Sequence, residues 1–337
     1  MVAQKMEAQP KIAVVILNYN GQHWLEKFLG DVVIKSPEAE VYVADNASTD
    51  NSMAYVQENH PTVKLIQNPD NNGYAGGYNQ ALKDICADYY VLLNSDIEVT
   101  KNWLNPVIQR MESDSAIAAC QPKIRSYHQK DHFEYAGACG GFVDQLGYPF
   151  CRGRIFDTLE KDESQYEDAM PVFWATGACL FVRANAFHEV DGLDQDFFAH
   201  MEEIDLCWRL KNKGYSIWVE PKSIVYHVGG GTLQSGSSFK TYLNFRNNLY
   251  MLYKNLEHPW GIISKRLVLD GLAGLKFLSK GKLVHTWAIV RAHFAFYGAI
   301  SKLKKKRART FQAALYPINI LTTYYLKGKK RFSDLAK

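Results

Sequence analysis

At 337 residues, 47% of them apolar, the chain exceeds one average domain and has the material for one large α/β domain with an appendage. Its six cysteines, Cys86, Cys120, Cys139, Cys151, Cys179 and Cys207, are scattered with no Cys-x-x-Cys pair, which speaks against a zinc cage or disulfide framework and for reduced thiols in a cytoplasm. The net charge of +4 is unevenly spread: from Gly261 to Lys337 seventeen Lys or Arg face only Asp270 and Asp334, a balance of +15 that leaves residues 1–260 at −11.

An acidic body with a basic tail is therefore expected. The stretch Met1–Lys11 is polar and has no apolar run of the signal-peptide kind. Ile12–Leu17 is continuously apolar and ends at Asn18-Tyr19-Asn20-Gly21, the pattern of a buried strand and a turn, followed by a helix from about His23 to Ile34. Val41–Ala44 reads as a second strand closed by Asp45-Asn46-Ala47-Ser48-Thr49-Asp50, with Asp50 or Ser52 capping a helix to about Asn59.

A strand at Val63–Gln67, the loop Asn68–Gly77, a helix from Tyr78 to about Ala87 and a strand at Tyr89–Leu93 continue the alternation, which predicts a parallel, doubly wound sheet. Polar loops thus fall at the carboxyl ends of successive strands, at Asn18, Asp45 and Asn94, where open α/β sheets bind ligands. Residues 125–170 are irregular and carry Arg152 and Arg154; they read either as a mobile active-site loop or as a surface excursion. Strands follow at Pro171–Trp174, Gly177–Val182 and about Ile217–Val219.

Between these lies His200–Leu210, where Glu202, Glu203 and Asp205 precede an apolar helical run. The acids suit the first turn of a helix, and Asp205 stands four residues before Arg209, the spacing of a helix-face ion pair. An acidic helix start with one exposed salt bridge and a catalytic site both fit this segment by itself. After Ser238 the pattern is helical, at Phe239–Leu256, Ile262–Leu278 and Leu283–Ile300, then a basic run, Lys302–Arg309. Asp270, Lys276 and Arg291 interrupt these helices, which disfavours membrane spans, and their aromatics beside Lys and Arg suit an interface. The division expected is residues 1–238 and a helical, basic region 239–337.

At the strand ends, Asp45 can accept hydrogen bonds from a base or ribose, and Asn18, Asn72 and Asn79 add neutral donors and acceptors. Gly73, Gly76 and Gly77 allow close approach to a ligand or simply relieve a tight turn. Their spacing matches neither the dinucleotide fingerprint nor the phosphate loop, so nicotinamide chemistry and ATP hydrolysis lose support. Asp96 offers a carboxylate for a hard divalent cation and His227 a nitrogen, a mixed set that suits Mn2+ as well as Mg2+; His227 could equally be a satisfied structural histidine.

Six stretches, Val14–Asn20, Asp45–Asp50, Asn71–Gly77, Leu92–Asp96, the acidic segment 202–209 and Tyr226–Gly231, together resemble family-2 glycosyltransferases of the GT-A fold, in their rhamnosyltransferase-like branch. The resemblance covers about residues 11–250 and implies a doubly wound mixed sheet flanked by helices, with a C-terminal helical appendage. By position it implies that Asp45 reads the nucleobase of a nucleotide-sugar. Asn94 and Asp96 occupy the Asp-x-Asp motif, and His227 helps Asp96 hold the metal. It places Trp174, Thr176 and Gly177 near the sugar or acceptor.

Two positions depart from the pattern. Asn94 replaces the first Asp of the motif, and Glu202-Glu203 replaces a Glu-Asp pair, so Glu203 takes the general-base position with Glu202 beside it. The implied reaction is an inverting, metal-dependent, non-processive transfer from a nucleoside-diphosphate sugar, rhamnose being one candidate, to a saccharide or polyprenyl-linked saccharide of a surface polysaccharide. The resemblance and the basic tail together imply a cytoplasmic chain peripheral at the inner face of the cytoplasmic membrane, held by an anionic surface. Homo-oligomer contact through the tail is the other reading of that region, and nucleic acid is disfavoured. Competing functions are another hexosyl or galactofuranosyl transferase of the same fold, a processive synthase, which the absent Gln-x-x-Arg-Trp motif disfavours, and a catalytically silent nucleotide-sugar binding scaffold.

Overall fold

The computed structural model describes residues 9–229 and 236–335, so Gly230 and Gly231 of the last motif lie outside it. The opening apolar run forms β1 (Ile12–Asn18), followed by α1 (Gln22–Lys35), β2 (Ala39–Asp45), α2 (Ser52–Asn59), β3 (Lys64–Gln67), α3 (Gly73–Ala81) and β4 (Tyr89–Asn94). β1 lies between β2 and β4, parallel to both, and β3 extends the sheet beyond β2. Side chains of β1 divide between two cores, Ala13 and Val15 on one face and Ile12, Val14 and Ile16 on the other. A strand covered on both faces needs an unbroken apolar run rather than an alternating one.

The sheet then becomes mixed. Beyond β5 (Ile97–Val99), α4 (Asn105–Glu112) and β6 (Ile117–Ser126), four short strands, β7 (Gly141–Val143), β8 (Pro149–Cys151), β9 (Arg154–Ile155) and β10 (Thr158–Leu159), form a separate antiparallel sheet. The chain returns through β11 (Met170–Val172), β12 (Cys179–Arg183), α5 (Ala184–Glu189), α6 (Glu202–Asn212) and β13 (Ser216–His227). The main sheet has nine strands in the order β11-β13-β6-β12-β4-β1-β2-β3, with β5 paired to β13. This is the expected doubly wound mixed sheet with helices against both faces.

Several expectations need correction. Residues 125–170 are neither a bare loop nor a surface excursion: they build the small sheet and bury Phe133, Cys139, Phe142, Phe150 and Ile155. Helix α3 begins at Gly73 rather than Tyr78, because the Phe198 carbonyl accepts the N–H groups of Tyr74 at 2.9 Å and Ala75 at 3.4 Å and so satisfies the helix start from a distant segment. Asn51 is the N-cap of α2 and makes no side-chain cap, while Asp50 accepts the Ser52 N–H at 3.1 Å. β13 runs eight residues past Val219, the expected end, to His227 by way of an irregularity between Glu220 and Ile224, where Pro221 interrupts the ladder with β6.

The C-terminal region forms α7 (Ser238–Asn255), α8 (Pro259–Ser279) and α9 (Leu283–Lys305), packed on one another, with α7 also against α6. Part of the basic run turns inward: Lys302 pairs with Asp196 at 2.5 Å, and Lys306 with Asp194 at 2.6 Å and Asp196 at 2.7 Å. Past α9 the chain crosses the small sheet, where the Tyr316 N–H meets the Val143 carbonyl at 2.8 Å and Phe332 stacks on Phe142 at 5.0 Å. Among the described residues no helix is long and apolar enough to cross a membrane.

Candidate active site

Parallel strands deliver Asn18, Asp45 and Asn94 to one edge of the sheet, with Asn18 in register with Asp45 and Leu17 with Asn94. Asp45 is fully buried and both its oxygens are engaged. Oδ1 accepts from Asn18 at 2.9 Å, and Oδ2 accepts from the Ser48 N–H at 2.8 Å and from Gln67 at 2.9 Å. The carboxylate thereby fixes the turn Asn46–Asp50. The Oδ1 of Asn18 is buried without a partner.

The glycines of α3 are packed against protein. Gly73 has φ +68°, and a Cβ there would lie 2.5 Å from the Phe198 carbonyl; one on Gly77 would lie 2.6 Å from the Asn46 amide. Gly76 packs against Asn72, which is exposed at the helix start. Asn79 is committed to the backbone of Leu193, donating at 2.6 Å and accepting at 2.9 Å. Tyr74, which had no role assigned from sequence, points its hydroxyl to the Gly177 carbonyl at 2.6 Å.

β13 brings His227 to the end of β4. Its Nε2 is 3.2 Å from Asp96 and 3.5 Å from the Asn94 amide, and its Nδ1 is 3.1 Å from Glu134, a residue of the irregular region that carried no sequence signal. Burial alone would push the imidazole pKa down; the two carboxylates outweigh it and hold it up at about 10. Asp96 and His227 bring one oxygen and one nitrogen together, the donor types that a divalent cation takes, with the Asn94 amide beside them. Among the described residues no three His, Cys, Asp or Glu side chains surround one point.

The acidic segment starts α6. Phe198, His200 and Met201 have φ of 64°, 69° and 72°, three non-glycine residues in the left-handed region within four positions, at about 1–3 kcal/mol each. This turn swings Glu202 and Glu203 inward. Each has one buried carboxylate oxygen without a hydrogen-bond partner. Burial raises Glu203 to about 7, and burial together with the Glu203 charge raises Glu202 well above the usual carboxylate range. The Glu203 Cβ lies 3.6 Å from where a side chain on Gly177 would begin. Tyr74, Gly177 and Glu203 therefore meet.

Asp205 and Arg209 do pair, at 2.7 Å, but the pair is not an exposed one. Asp205 is fully buried and also binds Lys254 at 2.9 Å and Asn255 at 2.8 Å, while Lys254 reaches Asp194 at 2.5 Å. Lys254 and Asn255 stand seven residues after Asn247 and Asn248 on α7, a polar repeat in an apolar helix that was the available signal.

Other expected site residues have structural partners. Trp174 is buried over Gly141 and donates to the Phe142 carbonyl at 3.0 Å; the Thr176 N–H donates to Gln121 at 2.9 Å. Arg152 binds the Cys139 carbonyl at 3.1 Å and Asp168 at 3.0 Å. Arg154 lies 4.3 Å from the Tyr135 ring. Both arginines are buried in and around the small sheet.

Comparison with known proteins completes the assignment. The family model "Glycosyl transferase family 2" matches residues 13–177. An N-acetylglucosaminyl-diphospho-decaprenol L-rhamnosyltransferase of Mycobacterium tuberculosis is 27% identical over 285 residues, covering 79% of this chain and 91% of the relative. The rhamnosyltransferase WbbL of Escherichia coli is 24% identical, covering 64% of this chain and 83% of the relative.

Among solved structures, GalNAc-T7 with UDP, GalNAc and Mn2+ superposes with a TM-score of 0.59 at 15% identity; the match covers 88% of this chain and spans 58% of that one. The mannosyltransferase PcManGT of Pyrobaculum calidifontis, in complex with GDP-Man and Mn2+, gives 0.52 at 15% identity, covering 87% of this chain and 88% of that one. These two neighbours share the fold. The chain belongs to glycosyl transferase family 2: it is a glycosyltransferase of the GT-A fold and of the rhamnosyltransferase-like kind.

Proposed function

We propose that the chain moves a hexose, with rhamnose the first candidate, from a nucleoside-diphosphate sugar to a hydroxyl of a lipid-linked saccharide, in one step with inversion. The observation that carries this reading is the buried, partnerless carboxylate oxygen of Glu203, on a side chain whose Cβ stands beside Gly177, the residue that Tyr74 binds. Glu203 takes the acceptor's hydroxyl proton as the oxygen attacks the anomeric carbon, and the bond to the diphosphate breaks with its electron pair leaving on that group. Glu202, kept protonated by burial, does not compete for the role. Tyr74 orients the Gly177 carbonyl at the same point.

Asp96 and His227, with Asn94 beside them, would hold a divalent cation. When bound it supplies positive charge against the leaving diphosphate. Binding through Nε2 requires that nitrogen to give up its proton. The names of the mycobacterial and E. coli relatives support the lipid-linked acceptor and rhamnosyl donor.

The α8–α9 hairpin supports placement at the inner face of the cytoplasmic membrane. Leu272, Leu275, Trp287 and Phe294 are 57%, 60%, 61% and 71% exposed, with Lys265, Lys276, Lys280, Lys282 and Arg291 exposed around them, while Asp270 is buried. Apolar side chains ringed by cations suit an anionic lipid surface.

A panel of UDP-, GDP- and dTDP-sugars with Mn2+ tests the reading. The expected result is a raised melting temperature for one donor, followed by release of its nucleoside diphosphate when polyprenyl-diphosphate-linked N-acetylglucosamine is added. Stabilisation by a donor without release to any saccharide acceptor would overturn it.

A further inference from the structure

The turn that carries Glu202 and Glu203 is held in an unfavourable backbone shape, and its hydrogen bonds show what holds it. The Asn247 side-chain nitrogen, on a fully buried residue of α7, lies 2.9 Å from the Phe197 carbonyl, 2.9 Å from that of Ala199 and 2.7 Å from that of His200. Three consecutive-region carbonyls thus converge on one amide group. Its oxygen in turn accepts from Arg246 at 2.8 Å, which fixes the orientation of the amide. The Arg246 guanidinium donates to the Asp196 and Phe197 carbonyls, both at 3.0 Å.

Carbonyl groups that converge in this way repel one another unless donors lie between them. An extended or helical path would turn them apart, so the donors of Arg246 and Asn247 select the left-handed path at Phe198, His200 and Met201. The remaining carbonyl of the turn, that of Phe198, faces the other way and meets the start of α3. The turn therefore joins α7 on one side to the segment carrying Tyr74 on the other.

We propose that Arg246 and Asn247 are positioning residues for Glu203: they impose the left-handed turn that brings its side chain in beside Gly177. This deepens the assignment of Glu203 as base and rests on it. It also makes α7 part of the catalytic unit rather than of a separable appendage. A misaimed base slows the chemical step while leaving the nucleotide site at the ends of β1 and β2 as it was.

The test uses the full chain with Asn247→Ala and Arg246→Lys, followed by hydrogen exchange and by dTDP release from dTDP-rhamnose with polyprenyl-diphosphate-linked N-acetylglucosamine. The expected result is amide exchange in 197–205 faster by roughly tenfold or more, with β1, β2 and β4 unchanged. Turnover number should fall by roughly ten- to a hundredfold while dTDP affinity in calorimetry stays within about twofold. Arg246→Lys, which keeps the charge and loses the fork, should show the same pattern more weakly and serves if Asn247→Ala does not fold.

Unchanged exchange in 197–205, or exchange and dTDP affinity altered across the whole chain in proportion to turnover, would overturn the proposal. Glu203→Gln is run beside them. If it turns over like the parent chain, the base assignment fails, and the exchange measurement still decides whether the turn is held by α7.

Discussion

The Tyr74 hydroxyl donates to the Gly177 carbonyl at 2.6 Å, across 103 positions of sequence, and so ties the glycine-rich start of α3 to the loop that faces Glu203. Tyr74→Phe removes this bond and keeps the ring packed against Tyr78. A net loss of about 1 kcal/mol is expected, read as a melting temperature lower by about 2–4 °C and a roughly fivefold fall in kcat/KM. A variant with unchanged stability and rate would show that the bond contributes to neither.

Glu203→Gln should leave nucleotide affinity within about twofold and lower turnover by about 100-fold or more. The pH dependence has a definite sign. With its pKa raised to about 7, Glu203 is protonated in acid and inactive as a base, so kcat/KM should rise through a midpoint near 7. Stability runs the other way: between the ordinary value of 4.5 and about 7 the folded chain holds this proton and the unfolded chain does not, so ionising Glu203 costs folding energy as pH rises through that window. Urea titrations of the parent and of Glu203→Gln at pH 5 and pH 8 would show the difference, which vanishes in the Gln variant.

Strand ends were the most legible part of this site. Asn18, Asp45 and Asn94 follow unbroken apolar runs, and a run that is buried on both faces has one way to end. The acidic pair at 202–203 was legible for a similar reason, since helix starts favour carboxylates. What held those groups was not. Phe198 satisfies α3, Asn247 holds the Glu203 turn and Lys254 neutralises Asp205, and each of these acts from 47 or more positions away. Local spacing found the Asp205–Arg209 pair but could not show its burial. Arg152 and Arg154 looked available because the small sheet that buries them has strands of two or three residues, too short to leave a periodic trace.

Lys254→Met should be strongly destabilising, by about 3–5 kcal/mol, because Asp194 and Asp205 would remain buried without their shared cation. Denaturant unfolding checks this. Burial raises both carboxyls, yet the cations around them, Lys254 foremost, hold both below the ordinary 3.8. Their contribution is therefore present above pH about 4 and is lost as pH falls through the depressed values, so the parent chain should lose stability in acid more steeply than Lys254→Met does.

Asp96→Ala should abolish the Mn2+-dependent part of nucleotide binding. Calorimetry with dTDP in Mn2+ and in EDTA is expected to differ by roughly tenfold or more for the parent and by less than about twofold for the variant. Equal affinities for parent and variant in Mn2+ would remove Asp96 from the metal site.

Leu272→Glu with Leu275→Glu places two carboxylates on the exposed face of α8 without touching a buried side chain. Sedimentation with phosphatidylglycerol vesicles should fall at least tenfold, while the melting temperature stays within about 2 °C. Undiminished sedimentation would show that this face is not the lipid contact.

The inward-turning lysines of α9 bear on how such enzymes can be recombined. Lys302 and Lys306 hold Asp196 and Asp194, and Lys254 holds Asp194 and Asp205, so both ends of the loop bearing Glu203 are fastened to the C-terminal helices. A chimera joined at residue 238 would pair one parent's loop with the other parent's fastenings and leave three carboxylates without matched cations. Exchanging the C-terminal helices between relatives therefore calls for carrying residues 194–205 with them, so that loop and helices are inherited as one cassette.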